Sequence, residues 1–125
     1  MRFEALTSPA GDMAALQQEY RQARQIGKLY LGAQHLYFRV GLKAFFVPYG
    51  DIRRYFRRVM LVSAKLCCGK GDFEIEHLVI CGDGGELAQI QLPGAKAGKI
   101  VMEELGRLAP DAAVGRPREN EEATL

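Results

Sequence analysis

Residues 35–60, HLYFRVGLKAFFVPYGDIRRYFRRVM, combine apolar alternation, turn residues and the densest positive charge in the chain. At the start of this stretch an alternating pattern occurs, in which Leu36, Phe38 and Val40 are interleaved with Tyr37 and Arg39. A period of two residues is typical of a strand with one buried face, so we expect a half-buried strand here.

Two breaks divide the rest of the stretch. Gly41 permits a tight reversal into a second strand at residues 44–47, and residues 48–51, PYGD, form the next break. Residues 52–62 then have the β-branched and aromatic content of a long strand, with four arginines set among the hydrophobic residues. The stretch therefore predicts three antiparallel strands.

A helix and a short strand are predicted ahead of this stretch. Ser8 can cap a helix whose first residue is Pro9, and apolar residues then recur at three- and four-residue spacing until Gly27. We place this N-terminal helix at about residues 9–25, with a solvent face rich in glutamine and arginine. Packing against the domain and docking of a partner both remain open for it. Residues 26–31 predict a short strand.

Two strands and a second helix are predicted after the arginine-containing strand. Strands at residues 72–81 and 87–92 flank a glycine-rich hairpin at residues 82–85. Residues 95–108 have the apolar stripe of an amphipathic helix that ends before a proline. Residues 111–125 have few large hydrophobic residues and no periodicity, and we expect a flexible tail.

Length and composition indicate one domain. With 125 residues, 48% apolar and 26% charged, the chain can bury a core without metals or disulfides. Strands first and an amphipathic helix last are typical of an α+β domain, which we place at residues 1–110 with its core at 26–109. The chain contains no apolar segment of the kind that signal peptides or spanning helices need, and we expect a cytoplasmic protein.

The arginine strand at residues 52–62 occurs in succession with three further segments, LYLGAQHLYFRVGLKAFFVPYGDI, CCGKGDFEIEHLVI and LPGAKAGKIVMEELGRLAP. In this succession, over residues 26–108, the chain resembles the pleckstrin-homology-like (PH-like) superfamily, and in particular its small bacterial members. The resemblance implies an antiparallel β-barrel or sandwich of about seven strands, capped by the C-terminal helix, here with an extra N-terminal helix. Eukaryotic members often bind phosphoinositides through basic residues of the first hairpin. Residues 32–35, taken as that hairpin, contain no lysine or arginine, so we do not expect this ligand.

The arginine strand is the candidate binding surface. A strand that interleaves arginines with aromatic residues is able to contact a phosphate backbone or an anionic lipid. Strand alternation divides the arginines between two faces, so no more than half of them can form one patch. The predicted binding residues are Arg53, Arg54, Tyr55, Arg57 and Arg58.

Acidic residues follow these arginines along the chain. Residues 1–70 carry 12 basic and 4 acidic side chains, and residues 71–125 carry 5 and 11, a division that does not suit a polycation for nucleic acid. If the strands at 52–62 and 72–81 pair, Glu74 and Glu76 can lie opposite two of the arginines and neutralise them. Paired or solvated arginines and a site for an acidic partner both remain open.

These observations favour a non-enzymatic interaction or assembly module. Its expected partner is another protein or a second copy of the chain, and neither phosphoinositide nor nucleic acid is expected. The alternative is an anion-binding module that holds a lipid headgroup or nucleic acid through the arginine strand.

The thiols are the remaining candidates for chemistry. Cys67, Cys68, His77 and Cys81 offer metal-ligand atoms, but their spacing differs from that of structural zinc sites, and we expect free thiols, no metal and no cofactor. Lys65 and Lys70 flank the adjacent cysteines and could lower a thiol pKa, which leaves a redox-reactive cysteine open. No catalytic residue is assigned.

Overall fold

The computed structural model describes residues 3–9, 11–63 and 72–115. Two helices, a 3-10 turn and nine strands occur in these ranges. In chain order they are β1 (Phe3–Ala5), α1 (Met13–Gln22), β2 (Arg24–Ile26), β3 (Leu29–Leu31), β4 (His35–Val40), β5 (Lys43–Pro48), the 3-10 turn (Tyr49–Asp51), β6 (Arg54–Ser63), β7 (Asp72–Gly82), β8 (Gly85–Gln91), α2 (Ala95–Leu108) and β9 (Ala113–Val114).

The strands form two mixed sheets, so the fold is α+β. The first sheet has the order β1-β5-β4-β3-β2 and the second the order β8-β7-β6-β9. Neighbours are antiparallel except for β1 with β5 and β6 with β9, which are parallel. The described strands do not close into a barrel. Nine strands are found where about seven antiparallel ones were expected, and two of the nine, β1 and β9, are short parallel strands at the sheet edges.

Both sheets and α2 contribute to one core. Buried side chains of β3, β4 and β5 meet those of β6, β7 and β8, and α2 adds Val101 and Leu105, both fully buried. Burial of such side chains stabilises the fold by about 1.5–3 kcal/mol each. The helix predicted at residues 95–108 is confirmed by α2, and Ala97 and Leu108 of its predicted stripe pack half-buried against the same core.

Helix α1 covers the opposite face of the first sheet. Its Leu16 packs in a second cluster with Phe3, Tyr37, Ala44 and Phe46. Strand β4 is therefore buried on both faces at Leu36 and Tyr37, and the expectation of one solvent face was wrong for this part of the strand. Alternation identified the strand but carried no information about what covers its second face.

Helix α1 begins later than predicted, at Met13 rather than near residue 9. The cap is Asp12, whose Oδ1 accepts hydrogen bonds from the backbone N–H of Ala14 at 3.0 Å and of Ala15 at 3.3 Å. The predicted cap, Ser8, donates its hydroxyl to Asp51 Oδ2 instead, at 3.2 Å.

Residues 26–31 are not one strand, as predicted, but the end of β2 and all of β3, joined by a two-residue turn. Gly27 has φ +61°, a conformation that glycine adopts without strain, and it reverses the chain. The first hairpin of the sheet therefore carries Lys28 at its turn. Residues 32–35 lead into β4 and are not the first hairpin. The prediction against phosphoinositide binding therefore rested on a segment other than the first hairpin.

Residues 111–115 were expected to be part of a flexible tail, and the structure shows regular pairing within them. The N–H of Ala113 donates to the carbonyl of Arg53 at 2.9 Å, and the N–H of Gly115 donates to that of Tyr55 at 3.0 Å. These bonds dock β9 beside β6. The rest of the predicted tail, residues 116–125, lies outside the described residues.

Candidate functional site

The pairing of β6 with β7 extends beyond the rest of its sheet. The two strands pair from Arg54 with Cys81 to Ser63 with Asp72, whereas the register of β7 with β8 begins only at His77. Residues 59–63 of β6 and 72–76 of β7 thus form a two-stranded extension, which we call the ribbon.

The β6 strand of the ribbon exposes three consecutive apolar side chains. Val59 is 43%, Met60 42% and Leu61 71% exposed. Because side chains alternate along a strand, Val59 and Leu61 lie on one face and Met60 on the other. We call these three residues the apolar edge.

The backbone of β6 is available next to these side chains. Strand β9 pairs only with Arg54 and Tyr55, and within the described ranges no strand pairs with this side of β6 beyond them. The carbonyl of Tyr55 points to the β9 side, where it accepts the N–H of Gly115. Backbone groups alternate in direction along a strand, so those of Arg57, Val59 and Leu61 point to the same side.

Arg57 is bound to Glu76, an acidic residue that is only 6% exposed. Its Nε donates to Glu76 Oε2 at 3.2 Å and its Nη2 donates to Glu76 Oε1. Helix α2 covers the pair at Gly98, where an added Cβ would lie 2.8 Å from Arg57 Nε. This guanidinium therefore lies between β7 and α2, although its side chain is still 29% exposed.

Arg58 projects from the opposite face of β6 and is bound to β8. It donates through Nη1 to Gln89 Oε1 at 2.6 Å and through Nη2 to Glu86 Oε1 at 3.0 Å. Its guanidinium carbon also lies 5.6 Å from the centre of the Phe56 ring, within the range of a cation–π contact.

Arg53, which precedes β6, and Arg54, its first residue, are bound to neighbouring segments of the chain. Arg53 donates through Nε to Asp83 Oδ1 at 2.8 Å and through Nη1 to the carbonyl of Gly50 at 2.7 Å. Arg54 donates through Nη1 to the carbonyl of Gly115 at 2.9 Å, which fixes the end of β9. Both side chains are thus bound within the chain, although that of Arg53 is 53% exposed.

The predicted binding residues are thus not brought together. Tyr55 is 1% exposed and lies in the core, where burial raises its pKa, so its side chain is turned away from the exposed arginines. Of the two glutamates expected to neutralise arginines of this strand, Glu76 does so by binding Arg57. Glu74 stands opposite Leu61 instead, and the carboxylate at Arg58 is Glu86 of β8.

A polar cluster beneath α1 was not predicted. Glu19 accepts hydrogen bonds from the Tyr37 hydroxyl, from His35 Nδ1 at 2.7 Å and from the backbone N–H groups of Gln34 and His35. The cluster lies beside a cavity of about 320 Å³ between α1 and the turn before β4. No sequence spacing signals it, because Glu19 and its partners lie on different elements.

This cluster links α1 to the first sheet. Burial raises the pKa of Glu19, but its hydrogen bonds from Tyr37, Gln34 and His35 outweigh burial and hold the pKa below the ordinary value of 4.5. A Cβ on Gly32 would lie 2.9 Å from Glu19 Cδ, so glycine is required for this close approach. The four hydrogen bonds occupy both oxygens of the Glu19 carboxylate. This carboxylate therefore has no free acceptor position with which to act on a substrate.

The thiol candidates divide between described and undescribed residues. Cys81 is half-buried and free, and its pKa is raised by burial and by the nearby Glu86. His77 Nδ1 is buried without a hydrogen-bond partner in the described part of the chain. Cys67 and Cys68 lie outside the described ranges, within which three or more metal-ligating side chains nowhere come together.

Comparisons with known proteins do not add a family to these observations. No protein-family model matches the chain, and neither the curated proteins nor the solved structures contain a match. Neither α1 nor α2 is long and apolar enough to cross a membrane, and these are the helices of the described ranges.

Proposed function

We propose that this chain is a non-enzymatic interaction or assembly module, which binds another polypeptide along the apolar edge of the ribbon. The proposal rests on two observations that coincide at Val59, Met60 and Leu61. All three side chains are exposed, and the backbone edge of β6 at these residues is not paired with any described strand. Proteins usually protect such an edge with charge, proline or a bulge. Residues 59–62, VMLV, contain neither charge nor proline, and the β6–β7 register is continuous across them.

A PH-like fold is part of the proposal. Strands β2 to β5 in one sheet and β6 to β8 in the other, followed by α2 packed on the shared core, support it. In this interpretation α1, β1 and β9 are additions to the superfamily pattern. A cytoplasmic location also remains a prediction.

Anion binding through the arginine strand is the alternative, and the side-chain contacts favour it less. Arg53, Arg57 and Arg58 are each bound to a carboxylate. These carboxylates neutralise the guanidinium groups and so weaken their attraction for a further anion. Phosphoinositide binding at the first hairpin would rest on Lys28, the basic residue of its two-residue turn.

The proposal is tested by placing a photo-crosslinking residue at Leu61 in cells that naturally contain the protein. Leu42 is the control position, since it is 98% exposed and apolar but lies in the turn between β4 and β5. We expect a defined cross-linked protein from position 61 that is not obtained from position 42, and we expect Met60→Lys to reduce it. Equal, non-specific products from both positions would contradict the proposal.

A further inference from the structure

We infer that the polypeptide bound at the apolar edge is a second copy of this chain, with the two β6 strands paired antiparallel about a two-fold axis at Met60. The inference rests on the proposed function and names the partner of that same surface. It would join the two β6-containing sheets into one continuous sheet.

The direction of the backbone groups defines which pairs are possible. Arg57, Val59 and Leu61 direct their N–H and C=O groups to the free side of β6, so these residues form the hydrogen-bonded pairs of an added antiparallel strand. Odd-numbered residues then pair with odd-numbered residues of the second copy. Symmetric registers are therefore centred on Val59, Met60 or Leu61.

Only the register centred on Met60 matches every exposed apolar residue with another one. It places Val59 opposite Leu61 of the second copy and Met60 opposite its own equivalent. A register centred on Val59 would set Met60 opposite Arg58, and one centred on Leu61 would set Val59 opposite Ser63. A two-fold interface is self-complementary, and this sequence meets that requirement in one register.

Charge does not oppose this pairing. Arg57 and Arg58 are the charged residues of β6 closest to the axis, and two copies would bring four guanidinium groups near one another. Glu76 and Glu86 neutralise them within each chain. The contact therefore joins neutral ion pairs rather than like charges.

The extent of the free edge also suits a second copy. Strand β9 occupies the edge at Arg54 and Tyr55, so pairing is confined to the residues that follow. The chain's own residues 116–125, RPRENEEATL, follow β9 along the chain and are the competing occupant. They carry a proline and five charged residues, and they offer little apolar surface to Val59 and Leu61.

Sedimentation equilibrium of the full chain tests the inference. We expect a concentration-dependent dimer of twice the 13.9 kDa chain mass. Met60→Lys should shift the chain to monomer, because it places two lysines together at the axis. Leu42→Lys makes the same change at another exposed position and should leave the dimer intact, and circular dichroism checks that both variants are folded.

Disulfide trapping tests the register. In a background in which Cys67, Cys68 and Cys81 are replaced by serine, Met60→Cys should form an intermolecular disulfide, since Cα atoms of a non-hydrogen-bonded pair lie about 4.5 Å apart, within disulfide range. Leu42→Cys should not. Efficient trapping through Val59→Cys instead of Met60→Cys would overturn the register.

Two results would overturn the second copy as the occupant. One is a monomer at all concentrations for the unaltered chain. The other is a dimer that forms only when the chain is truncated after Gly115, which would identify residues 116–125 as the occupant. A monomer that still cross-links another protein through position 61 rejects this inference alone, whereas a monomer without such cross-links rejects the proposed function as well.

Discussion

Arg57 and Glu76 form a two-point ion pair across neighbouring strands although they do not face each other in the register. Arg57 stands opposite Leu78, and Glu76 stands opposite Val59. The arginine side chain spans this diagonal, which is about 7–8 Å between backbone positions. The Glu76 side chain is 7% and that of Arg57 29% exposed, so the pair is largely removed from solvent.

Loss of one partner should leave the other covered and unpaired. We expect Arg57→Ala to lower the free energy of unfolding by about 1–3 kcal/mol, and the double variant with Glu76→Ala to lose less than the sum of the single changes. Urea unfolding gives the free energy of unfolding of the unaltered chain, the two single variants and the double variant. The matched cycle of Arg57 with Glu74 should be additive within about 0.5 kcal/mol. Additivity in both cycles would show that the pair contributes nothing.

The hydrogen-bonded cluster around Glu19 should make the stability of the fold depend on pH. Its pKa is below the ordinary 4.5 in the folded chain, so the stabilisation is present above that value and is lost as pH falls through the folded pKa. Glu19→Gln should be destabilised by about 1–3 kcal/mol near pH 7 and by less in acid. Glu103→Gln, an exposed change on α2, is the control. If the stability lost in Glu19→Gln is the same at every pH, ionised Glu19 is not the source of the pH dependence and the prediction is contradicted.

Two glycines of α2 should respond to alanine in opposite ways. Gly106 is exposed and a Cβ there meets only the Tyr55 hydroxyl at 3.8 Å, so Gly106→Ala should raise stability by about 0.5–1 kcal/mol. Gly98→Ala should lower it, because the new Cβ collides with Arg57. Thermal and urea unfolding compare them. In an Arg57→Ala background, Gly98→Ala should no longer lower the free energy of unfolding. If it still does, the new Cβ must collide with a group other than Arg57.

Binding to anions should be weak and salt-sensitive. Anionic liposomes and single-stranded DNA are the probes, titrated at low salt and at roughly 0.15 M salt, where released counterions weaken contacts to phosphate. Arg53→Ala with Arg57→Ala should change binding no more than Lys96→Ala with Lys99→Ala, which removes the same charge from α2. Tight binding that persists at high salt and is lost only in the arginine variant would favour the anion-binding alternative.

The cysteines should be free thiols. Titration of the denatured chain should give three thiols, and elemental analysis should find no stoichiometric zinc. In the folded chain Cys81 should react more slowly than glutathione near neutral pH, because burial raises its pKa. Cys81→Ser should remove this slow component. Zinc retained by protein purified without added metal would reverse the prediction.

The sequence by itself determined the elements whose patterns are local. The alternation at residues 36–40 marks β4, the glycines around Asp83 mark the hairpin between β7 and β8, and the apolar stripe at residues 95–108 marks α2 with its bounds. In each case the side chains repeat with the period of the element they form. Opposite charge on successive strands also indicated that arginines of β6 would be neutralised by residues that follow.

Only the tertiary structure decided which residues meet. The partner of Arg57 depends on the strand register, which charge counts do not contain. The burial of Tyr37 depends on α1, which packs against the first sheet but lies outside β4 in the sequence. Strand β9 is too short to show a period and exists because β6 offers it backbone groups. Contacts between residues distant in sequence depend on how the whole domain packs. A local sequence pattern reports only the residues within it, and therefore does not predict those contacts.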